Sequence, residues 1–325
     1  MKNRIYLDKQ KKKFKGNLHT HSTRSDGKHD PKIIVSWYKE KGYDFICLSD
    51  HEIYYSDSSL DTENFICLDG YEMRIENTVD NVSFHIHGLF DHAIKCKKPF
   101  NHNEFHVIPE YNGDLQQVQN LIDDMKSRGN IIIFNHPNWS RNTYETLEKL
   151  EGFHLMEIYN HQSEILEATG YSIDYWDYCL RKGKLLYGVA ADDMHSMAPE
   201  DKSGEAFGGF IVCDSESLTQ EHIIDSIREG SFYSSQGPEI YDLRIEDGFL
   251  KVKTSDVQFI KFVVFETLGN NQFSKDGFLI SSAEYKILGS ESYIRVEITD
   301  EKGLKAWSNP IMVAKEHRHE KQNIS

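Results

Sequence analysis

The chain has 325 residues, 38 % of them hydrophobic and 27 % charged, enough for a sizeable core and more than one domain. Fifty-two acidic against 37 basic side chains give a net charge of −15, which argues against a general affinity for nucleic-acid polymers or anionic membranes. No stretch approaches the roughly 20 consecutive apolar residues of a membrane helix. Residues 1–17 are charged and lack the apolar segment of a secretory signal, so a cytoplasmic location is the expectation.

The basic run Lys9, Lys11, Lys12, Lys13 and Lys15 reads as a solvated arm. From residue 15 to about 235 short β-rich runs then alternate with amphipathic segments. GNLH (16–19) is followed by a helix over 30–41, opened by Asp30 as N-cap with Pro31 at the first position and closed by Gly42. Strands follow at 43–49, 64–72 and 82–90. A helix over 114–128 aligns Leu115, Val118, Leu121, Ile122 and Met125 on one face. Strands at 131–135, 155–160, 185–190 and 207–213 precede a third helix at 219–230. Such alternation predicts βα units and a mainly parallel sheet. After Gly237-Pro238 the texture becomes short alternating strands with turn signals, the pattern of a small antiparallel, sandwich-like β domain. The expected division is 1–238 and 239–325, with a frayed tail over 314–325.

The five cysteines never reach C-x-x-C spacing, and several sit in apolar runs, so they read as buried free thiols. The 16 histidines are more informative, because many appear where a strand ends. NLHTHS projects His19 and His21 from one face of an extended segment. STRSDG supplies Asp26, LSDHE supplies Asp50 and His51, and GYE supplies Glu72. HIHG offers His85 and His87, NHP offers His136, and ADDMHS offers Asp192, Asp193 and His195. EIYNH brings Glu157, Asn160 and His161 to another strand end, either lining the site or packing behind it. If these ends converge on one rim, imidazoles and carboxylates from six or seven segments form a multi-metal site. Without thiolates the metals would be zinc, manganese or iron.

The ordered set HTHSTRSDG, LSDHE, GYE, HIHG, NHP and DMH resembles the PHP family, the polymerase-and-histidinol-phosphatase metallohydrolases, over residues 15 to 237. That resemblance implies an α/β fold, a distorted (β/α)7 TIM-like barrel, with two or three divalent ions and phosphoester hydrolysis by a metal-bound hydroxide. It implies that His19 and His21 bind a first metal with Glu72 and Asp193. Glu72 would bridge to a second metal with His85 and His136, while Asp26, His51 and His195 would hold a third. The family's histidine before G-L is His85 or His87, and its distance to Gly88 favours His85. Asp50 is expected to orient a neighbour.

Catalytic roles are assigned to Glu72 and Asp193, with Asp192 or His161 as proton relays, and substrate binding to Arg24, Arg141 and Asn160. The aromatic residues Tyr54, Tyr55, Trp139, Tyr159 and Trp176 either stack on a base or sugar or pack ordinarily. The expected substrate is a small phosphoester or nucleotide. A carbamate or carboxylic ester hydrolase on the same metals is the alternative, distinguished by fewer phosphate-holding cations. A non-catalytic metal-binding protein would have lost ligands, and the set is complete.

Overall fold

A computed structural model describes residues 2–77, 82–94, 105–106, 110–197, 204–265, 269–275 and 277–313. The expected frayed tail and Cys96 lie outside them. Strands β1 (Arg4–Leu7) and β2 (Lys12–Asn17) precede helix α1 (Pro31–Glu40). That helix starts as its sequence predicts: Asp30 accepts the Lys32 N–H and Pro31 takes the first turn. Strands β3 (Phe45–Cys47) and β4 (Ile66–Leu68) continue parallel to β2. Next come β5 (Gly70–Asn77), β6 (Val82–Phe90), α2 (Leu115–Ser127), β7 (Asn130–Phe134), α3 (Tyr144–Lys149) and β8 (Leu155–Asn160). The series closes with α4 (His161–Glu167), α5 (Ile173–Arg181), β9 (Tyr187–Ala191), β10 (Phe210–Ser215), α6 (Gln220–Glu229) and β11 (Phe232–Ser235).

Strands β5-β6-β7-β8-β9 form one sheet, against which α2 buries Val118, Ile122 and Met125 and α5 buries Trp176, Cys179 and Leu180. Helix α6 buries Ile223, Ile224 and Ile227 in the core beneath β3, β4 and β10. The α/β class holds; of the expected distorted (β/α)7 barrel, the described residues show several sheets with few helices rather than seven βα units in succession. β2-β3-β4 and β7-β8-β9 run parallel, and parallel bridges between Thr20 and Met194 and between His51 and Glu72 tie the two sheets together at their strand ends. β5, β6 and β7 run antiparallel. The reason is chain length: residues 78–81 alone separate β5 from β6, whereas a parallel crossover needs about a dozen residues or more.

The remaining strands, β12 (Ile240–Glu246), β13 (Phe249–Val257), β14 (Phe259–Val264), β15 (Asn270–Phe273), β16 (Ile280–Lys286), β17 (Tyr293–Thr299), β18 (Lys305–Ser308) and β19 (Ile311–Met312), carry no helix among the described residues. β1-β12-β13-β16 form a four-stranded sheet. β14, β15, β17 and β18 extend the sheet of β2, β3, β4, β10 and β11, joined where β11 pairs with β18. The two layers share an apolar core that includes Leu243, Leu250, Val252, Ile260, Phe262 and Val296.

Backbone bonds stitch the strand ends together. Asp193 N–H donates to His19 O, His21 N–H to Met194 O and Ser49 N–H to Thr20 O, at 3.0, 2.9 and 2.8 Å. Glu52 N–H donates to Glu72 O at 2.8 Å. The segments carrying histidines and carboxylates therefore lie side by side. Among the described residues no helix is long and apolar enough to cross a membrane.

Candidate metal centre

At these stitched ends the side chains of His19, His21, Asp26, His51, Glu72, His85, His136, Asp193 and His195 meet. Four overlapping groups form: His21, Asp26, His51 and His195; His19, His136 and Asp193; His19, His21 and Glu72; His51, Glu72 and His85. Glu72 is the hub. Its Oε2 lies 3.2 Å from His19 Nε2, 3.3 Å from His21 Nε2 and 3.1 Å from His51 Nδ1. Its Oε1 lies 3.3 Å from His85 Nδ1 and 3.6 Å from His136 Nε2. Asp193 mirrors it, 3.1 Å from both His19 and His21 and 3.6 Å from His136. Asp26, 47 % exposed, forms the mouth, with His51 and His195 each 3.5 Å away.

Local sequence explains the positioning. The SDG turn doubles back so tightly that a Cβ on Gly27 would sit 2.4 Å from His21 O, and only glycine allows it. Asp50 pins this loop, accepting from the N–H and hydroxyl of both Ser22 and Ser25. His136 (φ 22°), Asp193 and Glu52 (both φ 57°) sit in left-handed backbone, at a cost of about 1–2 kcal/mol each.

Behind the ligands, Glu157 Oε1 lies 2.6 Å from His19 Nδ1, and its Oε2 accepts from His136 N–H and Asn160 Nδ2, both at 3.0 Å. Asn160 Nδ2 also reaches Asp193 Oδ2 at 3.0 Å, and Asn135 Nδ2 reaches Glu72 Oε1 at 2.6 Å. Gln162 and the Glu205 carboxylate hold the His195 segment. Glu157 thus packs behind the site and steers it. Asn135 was missed by the sequence reading, although it immediately precedes His136.

Burial alone would lower His21 and His85, yet Asp193 and Glu72 raise His21, and Glu72 with Glu76 raises His85, each to about 9; Asp193, Glu72 and Glu157 hold His19 well above its ordinary value. Burial would raise Glu72 and Asp193, but the surrounding imidazoles hold both well below the carboxylate range. The cluster stabilises its anions and draws in positive charge. It also leaves polar atoms stranded: Glu72 Oε2, Asp193 Oδ1, His21 Nδ1 and His51 Nδ1 are buried without a hydrogen bond, which costs about 1–3 kcal/mol or more per group unless a cation compensates. Two ligands about 2.1 Å from one metal stand roughly 3.0–3.5 Å apart, close to the spacings here. The donor set fits divalent cations.

His85 and His87 lie on one strand in different surroundings. His85 faces Glu72, whereas His87 lies deeper, with Nε2 3.5 Å from Cys47 Sγ, and burial pulls it to about 3. Two expected proton relays point elsewhere. Asp192 accepts from Tyr38 OH and from the N–H groups of Phe207, Gly208 and Gly209, so it braces a loop. His161 bonds Tyr159 OH and Gly204 O, against a Gly208 whose Cβ would strike its ring at 2.2 Å. Neither touches the cluster, because successive residues at a strand end face opposite ways.

Asn160 is fully buried behind the ligands. The Arg24 guanidinium lies 4.8 Å over the Tyr55 ring, beside a cavity of about 200 Å³ also lined by Asp30, Lys32 and Asp57. Arg141 is exposed in the turn after NHPNW. Of the aromatic residues, Tyr54, Tyr55, Tyr159 and Trp176 are core, while Trp139 packs on His85 and His136 with ring centroids 5.5 and 5.0 Å away. The cation beside the mouth is Arg74, which the sequence reading missed. Its Nη1 stands 3.6 Å from Asp26. The signal was available, since Arg74 follows Glu72 by two positions on one strand.

No protein-family model matches the chain, and no curated protein matches it. Solved structures similar to it include a two-domain protein of Bacteroides vulgatus containing a predicted PHP-like metal-dependent phosphoesterase. It is 15 % identical with a TM-score of 0.49, over 96 % of this chain and 99 % of that one. A protein of Bifidobacterium adolescentis, provisionally named a metal-dependent phosphoesterase, is 14 % identical with a TM-score of 0.39, over 66 % of this chain and 94 % of that one. An amidohydrolase of Chromobacterium violaceum, with sulfate and no metal bound, is 15 % identical with a TM-score of 0.38, over 57 % of this chain and 88 % of that one.

Proposed function

We propose that this protein is a metal-dependent hydrolase that cleaves phosphoester bonds of a small molecule or nucleotide. The observation that carries the reading is the pair of buried carboxylates, Glu72 and Asp193, whose unbonded oxygens stand among imidazoles from several strand ends. His19, His21, Glu72 and Asp193 would hold one ion, Glu72, His85 and His136 a second, and Asp26, His51 and His195 a third, of zinc, manganese or iron. Divalent ions held there would supply hydroxide at neutral pH, by lowering the pKa of a bound water to about 7, and would neutralise the oxygens of a phosphoester.

The chain's own residues do the rest. Glu157 and Asn135 fix the orientation of His19 and Glu72, so little reorganisation accompanies the reaction. Trp139 packs on the His85 and His136 rings, and the part-exposed Asp26 forms the mouth of the cluster. Every one of these residues precedes residue 238 in the sequence, within the expected first domain. The four cysteines among the described residues are free and buried, which suits a reducing compartment such as the cytoplasm.

The second reading is attack on a carbonyl of an ester or carbamate by the same metal-bound hydroxide, a reading favoured by the distance of Arg24 from the cluster, where its guanidinium lies over the Tyr55 ring. Initial rates on nitrophenyl monoester, diester and carboxylic ester, with manganese or zinc restored, separate the two. Phosphoester turnover that needs metal and falls at least about a thousandfold in Asp193→Asn is the expected result. Carboxylic ester turnover alone moves the assignment to the carbonyl chemistry, and no metal-dependent turnover on any member sinks catalysis on these substrates.

A further inference from the structure

We propose that Arg74 is a substrate-binding residue, gripping a non-reacting oxygen of the phosphate as it sits over Asp26. The assignment rests on the phosphoesterase reading above and names the recognition element that reading lacks. Residues two apart on a strand share a face, so β5 presents Glu72, fully buried, then Arg74, 37 % exposed, along one line from the cluster to the mouth.

Two contacts define what Arg74 is set to do. Its Nε donates to Glu52 Oε1 at 3.1 Å. Glu52 is buried, follows His51 directly, and is itself held in left-handed backbone by its bond to Glu72 O. One edge of the guanidinium is therefore anchored from inside the protein. At the other edge Nη1 stands 3.6 Å from Asp26 Oδ2, an ion-pair distance that falls short of a hydrogen bond. A residue serving only to neutralise Asp26 would close that gap. A planar fork fixed at Nε and loose at Nη instead presents parallel N–H groups at the mouth, the geometry that matches two oxygens of a phosphate. This favours substrates whose phosphate keeps free terminal oxygens, and a neutral carboxylic ester offers no such partner.

The test titrates inorganic phosphate into metal-loaded protein by calorimetry, comparing wild type with Arg74→Gln and Arg74→Lys. The expected result is a phosphate Kd weakened about tenfold in the glutamine variant. Lysine should recover part of it. The KM for nitrophenyl phosphate should rise more than kcat falls, with metal content unchanged. Unaltered phosphate affinity in Arg74→Gln overturns the assignment. So does metal loss matching the loss of affinity, which would make Arg74 a prop for Asp26. Thermal melts report whether each variant folds, and the lysine variant carries the comparison if glutamine does not. Failure of the two readings separates cleanly. A wild type that turns over no phosphoester overturns the reaction, whereas turnover and phosphate affinity that both survive Arg74→Gln overturn only the role of Arg74.

Discussion

Asp177 on α5 and Arg295 on β17 meet where the all-β part packs on the α/β part, and their charges are matched almost atom for atom. Asp177 accepts from Arg295 Nε and Nη2 at 2.9 and 2.8 Å and from Tyr293 OH at 3.1 Å. Arg295 Nη1 lacks a hydrogen bond but lies 3.6 Å from Glu297 Oε2, and the guanidinium stands 5.1 Å over the Trp176 ring. Glu72 and Asp193 are buried more deeply than Asp177, yet each keeps an oxygen without a hydrogen bond. Burying a charge is tolerable only where something compensates it. At the joint the compensation is built into the chain, so that region reads as structure. At the cluster the imidazoles compensate in part while Glu72 Oε2 and Asp193 Oδ1 stay without a hydrogen bond, so that region reads as a binding site.

The largest effect that tests this contrast is Asp177→Ala. Removing one partner strands a buried guanidinium, at an expected cost of about 3 kcal/mol. Urea unfolding followed alongside metal content measures it. The expected outcome is a lower midpoint with full metal loading. Metal loss in step with stability would show that joint and cluster are not independent, and the comparison would break.

Glu157→Gln sharpens the other side. Glu157 touches the side chain of His19, the backbone of His136 and, through Asn160, Asp193. A carboxylate behind a ligating histidine fixes its tautomer and orientation, and losing such a partner weakens metal affinity about 10–100-fold. Competition with a chelating dye measures that affinity directly. Affinity within twofold of wild type would mean that the ligands hold their places without Glu157.

The metal-ligand candidates were the most legible part of the sequence because most occur at or near the end of an apolar run, within an ordered series of short motifs, and all nine converge in space. Facing direction was harder to read. Asp192 and Asp193 are neighbours in one motif, yet the first serves a backbone loop and the second faces the histidines. Only the closing of the sheet decides which way each points. The distorted barrel is seen only in part for a similar reason: strand periodicity reveals strands but not partners. The short β5–β6 connection makes that pair antiparallel, while parallel bridges between Thr20 and Met194 and between His51 and Glu72 join the two sheets of the α/β part. Arg74 escaped notice because a single arginine carries no motif, although its spacing from Glu72 was plain.

The smallest effect concerns acid. Burial would raise the Glu297 carboxyl, but Arg295, Lys305 and Lys261 together hold it below its ordinary 4.5. A carboxyl depressed in the folded state contributes stability that is fully present above its unfolded pKa of about 4.3 and is lost as pH falls through the folded value. Glu297→Gln should therefore be less stable than wild type near neutral pH, with the gap narrowing below about pH 4. Thermal midpoints of chelator-treated proteins across that range measure the gap, and restoring metal should leave it unchanged, because Glu297 lies in the joint. A gap that stays constant into acid would show that the surrounding cations do not favour the Glu297 anion. A gap that shifts with metal would join the two regions that the matched and unmatched charges set apart.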